Sequence, residues 1–249
     1  MTPLPTSIDD VRSFSRAESQ RLATTEYQRM LDLLNLLTDT DWGRPTDCSA
    51  WTVRDLAAHV LGGTEAFASF REFLHQMRLA SQDKSQPRVD AMTALQVRER
   101  AGLSTEELIS RTAAAGPRAA RARARVPVLL GWAPMKEEVG GLPETWRVGY
   151  LLEVILTRDV WMHRVDLARA TGHEMVLDAD HDGRLVADVV AEWARRHQQP
   201  FELQLEGPAG GVYTSGHGGE QLRLDAVEFC RILSGRTSGD GLLRQPVPF

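Results

Sequence analysis

Cysteine is scarce in this sequence: Cys48 and Cys230 are the two present, and they lie far apart in unrelated contexts. This spacing excludes a CxxC zinc knuckle, a redox pair and a disulfide framework. Residues 1–16 carry acids and prolines where a signal peptide needs a basic start and an apolar run. No later stretch is apolar enough to span a membrane. We therefore expect a cytoplasmic protein with two reduced thiols and no membrane partner.

Positive charge is not in excess either, since the formal net charge is -5. A general nucleic-acid binder needs a basic surface to neutralise phosphates, so no nucleic-acid partner is expected. One segment is an exception, because residues 111–125 contain five arginines and no acid. Such a segment is either an anion-facing patch or the solvated face of a helix rich in arginine and alanine.

The first part of the chain is predicted to be helical. Helices are expected in five segments, which are 17–37, 52–81, 89–100, 104–112 and 145–171. We expect Gly62 and Gly63 to interrupt the second helix and to allow either close helix approach or a bend, and Gly116 with Pro117 to break or restart the fourth. Residues 126–144 are too rich in proline and glycine for a helix and too apolar for a free linker, which predicts a packed loop.

The C-terminal part has a different pattern. Residues 180–197 and 225–234 are predicted to be helices, and residues 201–207 alternate apolar and polar side chains as a half-buried strand does. Residues 210–224 could supply one or two further short strands. We therefore predict two domains, a helical bundle over residues 1–175 and a small α+β domain over residues 176–249.

Metal-binding residue types occur at chelating spacing in the most apolar helix. Asp159 precedes His163 by four residues, so the two side chains project from one face, one turn apart. Asp166 falls on the same face, and His59 sits among apolar residues of the second helix. Burying such groups without compensation is costly, which favours a bound cation. The alternatives are a hydrogen-bonded core histidine and a surface Asp–His hydrogen bond.

Three stretches carry a resemblance to a known family, namely WTVRDLAAHV at 51–60, LPETWRVGYLLEVILTRDVWMHRVDLARATG at 142–172 and FCRILSGRTSGDGLL at 229–243. Together they resemble the mycothiol-dependent maleylpyruvate isomerases, which belong to the DinB-like metalloenzyme superfamily. The resemblance implies a mainly α fold, with a DinB-like four-helix bundle and a small α+β C-terminal domain. It also implies a divalent metal bound by His59, Asp159 and His163, with Asp159 standing where the founding members use Glu.

The same resemblance implies an enzyme that uses a low-molecular-weight thiol, mycothiol, as nucleophile or cofactor. It would act as a thiol S-transferase or cis-trans isomerase on an electrophilic small molecule. Zn²⁺ is the expected metal, and Ni²⁺ is an alternative. Three nitrogen and oxygen ligands leave open positions on such an ion, as they do in catalytic sites. Arg236 is a candidate catalytic residue. Arg236 and Arg147 are also candidates for binding carboxylate or sugar groups, and the alternative for each is a helix-end or surface arginine. We expect the C-terminal domain to cover the pocket and present Arg236.

Two other functions are compatible with the same residues. A non-catalytic protein would keep the metal and bind a ligand. A metal-dependent hydrolase would activate water, with Asp166 or Glu153 as the catalytic base. Metal content does not discriminate among the three functions, whereas a reaction that depends on mycothiol does.

Overall fold

A computed structural model describes residues 5–85 and 87–249, which divide into two compact units. The helical unit comprises Arg16–Ala133 and Val148–Met175. The mixed unit comprises Pro134–Arg147, Val176–Phe249 and the N-terminal segment up to Ser15. Helices account for 59% of the structure, which confirms the mainly α class. The predicted division into two domains at residue 175 stays a prediction.

The helical unit contains α1 (Arg16–Leu34), α2 (Val53–Ala68), α3 (Phe70–Gln82), α4 (Arg88–Arg100), α5 (Thr105–Ala124), α6 (Val128–Gly131), α7 (Val148–Tyr150) and α8 (Leu156–Thr171). A π-helical turn, Leu151–Ile155, joins α7 to α8. The helices α1, α2, α5 and α8 pack against one another around an apolar core and form a four-helix bundle. The helices α3 and α4 pack against α2 and against each other.

Local sequence signals set the ends of these helices. At the start of α2 the Thr52 hydroxyl accepts from the Asp55 backbone N–H, and the Asp55 carboxylate accepts from the Thr52 backbone N–H. Ser104 and Glu107 form the same reciprocal pair at the start of α5. Each pair satisfies N–H groups that the first turn of a helix leaves unbonded. Gly172 ends α8 with a φ of 75°, a left-handed conformation that glycine adopts without strain.

The predicted break of the second helix lies at another position. Gly62 and Gly63 are both inside α2, and the chain leaves helical geometry at Ser69, where φ is -144° and ψ is 116°. The Ser69 hydroxyl then accepts from the Glu72 backbone N–H and starts α3. Gly62 serves packing rather than bending, because a Cβ there would lie 2.6 Å from the Cβ of Gln96.

The helix α5 also continues through its predicted break. Gly116 and Pro117 lie inside it, and the helix runs on to Ala124. Proline lacks a backbone N–H and costs a helix one hydrogen bond, but the packing of α5 against α1 and α2 outweighs this loss. Gly116 allows this packing, because a Cβ there would lie 2.9 Å from the Cβ of Tyr27.

The mixed unit contains β1 (Thr6–Ser7), β2 (Pro134–Val139), β3 (Leu142–Arg147), β4 (Phe201–Glu206), β5 (Gly211–Ser215), β6 (Glu220–Asp225), α9 (Arg184–His197) and α10 (Ala226–Leu233). Four strands form a sheet in the order β1-β5-β4-β6, in which β4 and β5 pair antiparallel. The buried residues Phe201, Leu203 and Leu205 alternate along β4, as predicted for this strand. Trp193 of α9 packs against Phe201 and Phe229, with ring centroids 4.7 and 5.4 Å away.

The stretch 126–144, predicted as a packed loop, has regular structure. It contains α6, and β2 pairs antiparallel with β3. Gly140 and Gly141 form the turn with φ values of 58° and 80°, and this pair of positive angles matches the twist of a two-residue hairpin. The glycines and prolines of this stretch predict a loop, but the two glycines end one strand and allow the next to begin. None of the described helices is long and apolar enough to cross a membrane.

Gly62→Ala should lower the free energy of unfolding by about 1–3 kcal/mol, because the added methyl group overlaps Gln96 in a packed core. Gly63→Ala is the matched control on the same helix, since a Cβ there meets only the Gln96 Nε2 at 3.9 Å. That change should be neutral or stabilise by up to about 1 kcal/mol through helix propensity. Urea unfolding of the two variants and the wild type measures the difference, and equal stabilities would contradict the packing role of Gly62.

Candidate metal centre

Three side chains of metal-binding type converge between α2 and α8. His59 lies in the middle of α2, and Asp159 and His163 lie one turn apart on α8. The Nε2 atoms of His59 and His163 lie 4.0 and 3.3 Å from Oδ1 of Asp159. One ligand atom from each residue can be chosen so that all three lie within 4.8 Å of one another. The structure thus brings together the predicted metal ligands, and their binding of a metal stays a prediction.

The donor set fits a divalent transition metal. Two imidazole nitrogens and one carboxylate oxygen are typical of catalytic zinc sites. Metal–ligand bonds of about 2.0–2.2 Å at a tetrahedral ion place neighbouring ligand atoms about 3.3–3.5 Å apart. The separations of 3.3 and 4.0 Å from the Asp159 oxygen come close to this spacing, so small side-chain movements would complete the ligand set.

Each histidine is held by its other ring nitrogen. Nδ1 of His163 lies 3.1 Å from Oδ2 of Asp166, which is fully buried. Nδ1 of His59 lies 2.8 Å from Oε1 of Gln96. An oxygen that accepts from Nδ1–H leaves the Nε2 lone pair available to a metal. Asp166 and Gln96 are therefore placed to orient both rings with Nε2 toward Asp159.

Two side chains from the segment before α2 complete the surroundings. The Trp51 ring lies 5.0 Å from the His59 ring and 6.4 Å from the His163 ring, so the indole forms a wall beside both imidazoles. Sγ of Cys48 lies 3.7 Å from Oδ2 of Asp166, within the range of a weak S–H hydrogen bond. The sequence predicts an ordinary reduced thiol at Cys48 and gives no sign of its contact with Asp166.

The sequence profile of the mycothiol maleylpyruvate isomerase N-terminal domain matches residues 23–168, more than half of the chain. The chain belongs to this family. Two solved structures of mycothiol-dependent maleylpyruvate isomerase, one of them a His-to-Ala variant, match over 93% of this chain and 92% of theirs. Each has a TM-score of 0.57 and 18% sequence identity, so the likeness concerns the fold and confirms the predicted DinB-like architecture. No curated protein sequence is significantly similar to the chain.

The charges of Asp159 and His163 at the metal centre depend on one another. Burial alone would raise the pKa of Asp159, but the charge of His163 and the hydrogen bond from its Nε2–H hold this pKa well below its ordinary value. Burial alone would lower the pKa of His163, but the Asp159 carboxylate and further hydrogen bonds raise it well above its ordinary value. Without a metal, a proton on His163 therefore balances the charge of Asp159.

The other candidate residues lie elsewhere along the chain. Arg147 ends β3, and Arg236 follows α10, where its backbone N–H donates to the Arg231 carbonyl at 3.0 Å. Both arginines belong to the mixed unit, and their roles stay predictions. Glu153 lies in the π-helical turn, and its carboxylate accepts from Arg16 at 3.3 Å.

The arginine-rich segment contains two kinds of side chain. Arg111 pairs with Glu65 at 2.7 Å, and the buried Arg123 donates to the Leu152 carbonyl at 2.8 Å. The remaining arginines line a cavity of about 520 Å³ and are Arg118, Arg121 and Arg125. Arg111 and Arg123 are therefore structural, and the three arginines of the cavity are the ones that an anion could contact.

Metal binding should tighten as the pH rises. In the metal-free protein His163 is protonated because its pKa is raised, and its Nε2 must lose that proton before it can bind an ion. Below the raised pKa each ion displaces about one proton, so the affinity should rise about tenfold per pH unit. Chelator competition with Zn²⁺ over about pH 6 to 8 measures this dependence.

Asp159→Asn provides the control for this pH dependence, because it removes the carboxylate that raises the pKa of His163. The remaining affinity of that variant should depend less on pH. A wild-type affinity that stays constant over the same range would contradict a protonated His163 in the metal-free site.

Asp159→Asn should also lower metal affinity by about tenfold or more, and His163→Ala should lower this affinity at least as much. The amide has nearly the volume of the carboxylate but lacks its negative charge, so the bundle should stay folded. Calorimetric titration with Zn²⁺ measures the affinity, and circular dichroism checks the fold.

Asp32→Asn is the matched control, because Asp32 is an exposed carboxylate on α1 outside the centre. Its metal affinity should equal that of the wild type. If Asp159→Asn binds normally and Asp166→Asn does not, the acidic ligand is Asp166. If neither change matters, both acids are structural.

Proposed function

We propose that this chain is a divalent-metal-dependent enzyme that uses a low-molecular-weight thiol, mycothiol, as nucleophile or cofactor. It acts as a thiol S-transferase or cis-trans isomerase on an electrophilic small molecule. The observation that carries the proposal is the convergence of His59, Asp159 and His163 in a chain of this family. Mycothiol and isomerisation are suggested by the names of the family and of the two matched structures.

An incomplete ligand set supports a catalytic site. Structural zinc sites are closed by four protein ligands, whereas three nitrogen and oxygen ligands leave room for a thiol or water. The Asp159 side chain is 32% exposed, and those of His59 and His163 are 10% and 8% exposed, so the centre is more accessible on the Asp159 side. We propose Zn²⁺ as the ion, and Ni²⁺ suits the same donors.

A bound divalent ion would supply a Lewis acid that stabilises a thiolate near neutral pH. The protein's own residues hold and orient the ligand groups. His59 and His163 present Nε2, and Asp166 accepts from Nδ1 of His163 so that this ring keeps its orientation. Trp51 packs beside both imidazoles.

The thiolate can give two products. Bound at this centre, the thiol would supply a nucleophilic sulfur that can add to an activated carbon–carbon double bond. A C–S bond would then form, and the π electron pair of the double bond would move onto the conjugated carbonyl of the substrate. Rotation about the former carbon–carbon double bond, followed by elimination of the thiolate, would give the trans isomer. Displacement of a leaving group by the sulfur gives a thioether instead. We propose Arg147 and Arg236 for binding carboxylates of the thiol or substrate, because guanidinium groups bind them with two hydrogen bonds.

Metal-loaded protein should accelerate a reaction between mycothiol and an electrophile above the spontaneous rate. Monobromobimane should give a thioether if the protein is a transferase, and maleylpyruvate should give the trans isomer if it is an isomerase. Removal of the metal or His163→Ala should lower the rate by about tenfold or more, because the thiolate is then less stabilised. Mass analysis of the products and of thiol consumption measures both reactions.

His75→Ala is the matched control, because His75 is 46% exposed on α3 and pairs with Glu99 rather than with the centre. Its rate should match that of the wild type. Substrate hydrolysis that needs metal but no thiol would indicate a hydrolase and overturn the proposal. Binding of metal and thiol without any product would indicate a non-catalytic binding protein.

A further inference from the structure

A chain of buried amide groups extends from His59 between α2, α3 and α4. Gln96 on α4 and Gln76 on α3 have exposed fractions of 5% and 0%. Nδ1 of His59 lies 2.8 Å from Oε1 of Gln96, and Nε2 of Gln96 lies 2.9 Å from Oε1 of Gln76. Buried amides need partners for their donors and acceptors. The order of donors and acceptors is therefore set by the groups at the far end of the chain.

The groups at that end can only accept hydrogen bonds. Nε2 of Gln76 lies 3.0 Å from the Gly62 carbonyl oxygen and 2.8 Å from a carboxylate oxygen of Glu72. Arg100 lies 3.1 Å from the same carboxylate oxygen and favours its ionised form. Both N–H groups of Gln76 are used in this way, so its Oε1 must face Gln96.

The same order continues to His59. Because Oε1 of Gln76 accepts, Gln96 presents its Nε2 to Gln76 and its Oε1 to His59. An oxygen in that position accepts only from a protonated Nδ1. Turning either amide round would set two N–H groups or two oxygens against each other in a buried place, which is unfavourable.

We infer that Gln76 and Gln96 are positioning residues that fix His59 in the Nδ1–H tautomer and present its Nε2 lone pair toward Asp159 and His163. The tautomer follows from the hydrogen-bond order in the protein alone. The consequence for a bound ion rests on the proposed function.

Gly62 determines how closely Gln96 approaches α2, and its carbonyl helps to set the order of donors and acceptors in this chain of amides. A Cβ at Gly62 would lie 2.6 Å from the Cβ of Gln96, so the missing side chain allows Gln96 to approach α2 and reach His59. The Gly62 carbonyl is also one of the terminal acceptors for Gln76. One glycine of α2 thus fixes the ring of a histidine three residues before it.

His163 needs no such chain. Its Nδ1 faces a carboxylate oxygen of Asp166 at 3.1 Å, and both oxygens of an ionised carboxylate are acceptors. An amide, in contrast, can present either an acceptor or a donor. Gln96 can fix a tautomer only when a second group prevents its amide from turning, and Gln76 is that group.

Nitrogen-15 NMR of the metal-free protein, at a pH where the His59 ring is neutral, tests the tautomer. Wild-type His59 should show a protonated Nδ1 and an unprotonated Nε2. Gln76→Met should allow the Gln96 amide to turn, so the His59 signals should shift toward a mixture of tautomers. Gln96→Met should remove the bias altogether. Zn²⁺ affinity should fall by about tenfold in both variants.

Thr64→Val is the matched control, because the buried Thr64 hydroxyl donates to the Val60 carbonyl at 2.7 Å rather than to His59. It should cost stability and leave the tautomer and Zn²⁺ affinity unchanged. An Nε2–H tautomer in wild-type protein would overturn the inference without any variant. An unchanged tautomer or unchanged Zn²⁺ affinity in a folded Gln76→Met variant would also overturn it. A fixed Nδ1–H tautomer in protein that binds no Zn²⁺ would instead contradict the proposed function.

Discussion

The polar groups buried in the bundle need partners, and this requirement positions the helix that carries most of the centre. Arg164 and Glu26 pair at 2.6 Å with side chains only 2% and 1% exposed, and they join α8 to α1. Arg123 of α5 donates to a carbonyl of the π-helical turn before α8. Loss of one partner would leave an uncompensated buried charge. These contacts hold α8 in the bundle. There Oδ1 of Asp159 lies 4.0 Å from Nε2 of His59, and the ring centroids of His163 and His59 lie 5.0 Å apart.

The features that could be predicted from the sequence depend on neighbouring residues. Asp159 and His163 share a helix face because of their spacing, and any α-helix there would place them together. The capping pair Thr52 and Asp55 forms between residues only three positions apart. Gly172 ends a helix for a local reason, since it adopts a φ of 75°. In each case the controlling interaction lies within about one helical turn.

The features that could not be predicted depend on distant residues. Gln96 meets His59 and Gln76, which are 37 and 20 positions away, and nothing in its own segment distinguishes it from a solvated glutamine. In the sequence alone Gly62 is compatible with either a bend or close helix approach, because its packing partner Gln96 belongs to another helix. Trp51 had a sequence signal, since it begins the family-like stretch WTVRDLAAHV, but its contact with two imidazoles needs the folded bundle.

The shorter acid at position 159 gives the start of α8 more influence on the centre. A carboxylate on one methylene reaches less far than glutamate, so its oxygen must be placed mainly by the backbone. Oδ1 of Asp159 lies 3.3 Å from His163 on its own helix and 4.0 Å from His59 on α2. A π-helical turn adds a residue to one turn and changes which side chains face inward beyond it. The turn Leu151–Ile155 directly precedes α8. Its geometry therefore influences how closely Asp159 approaches His59.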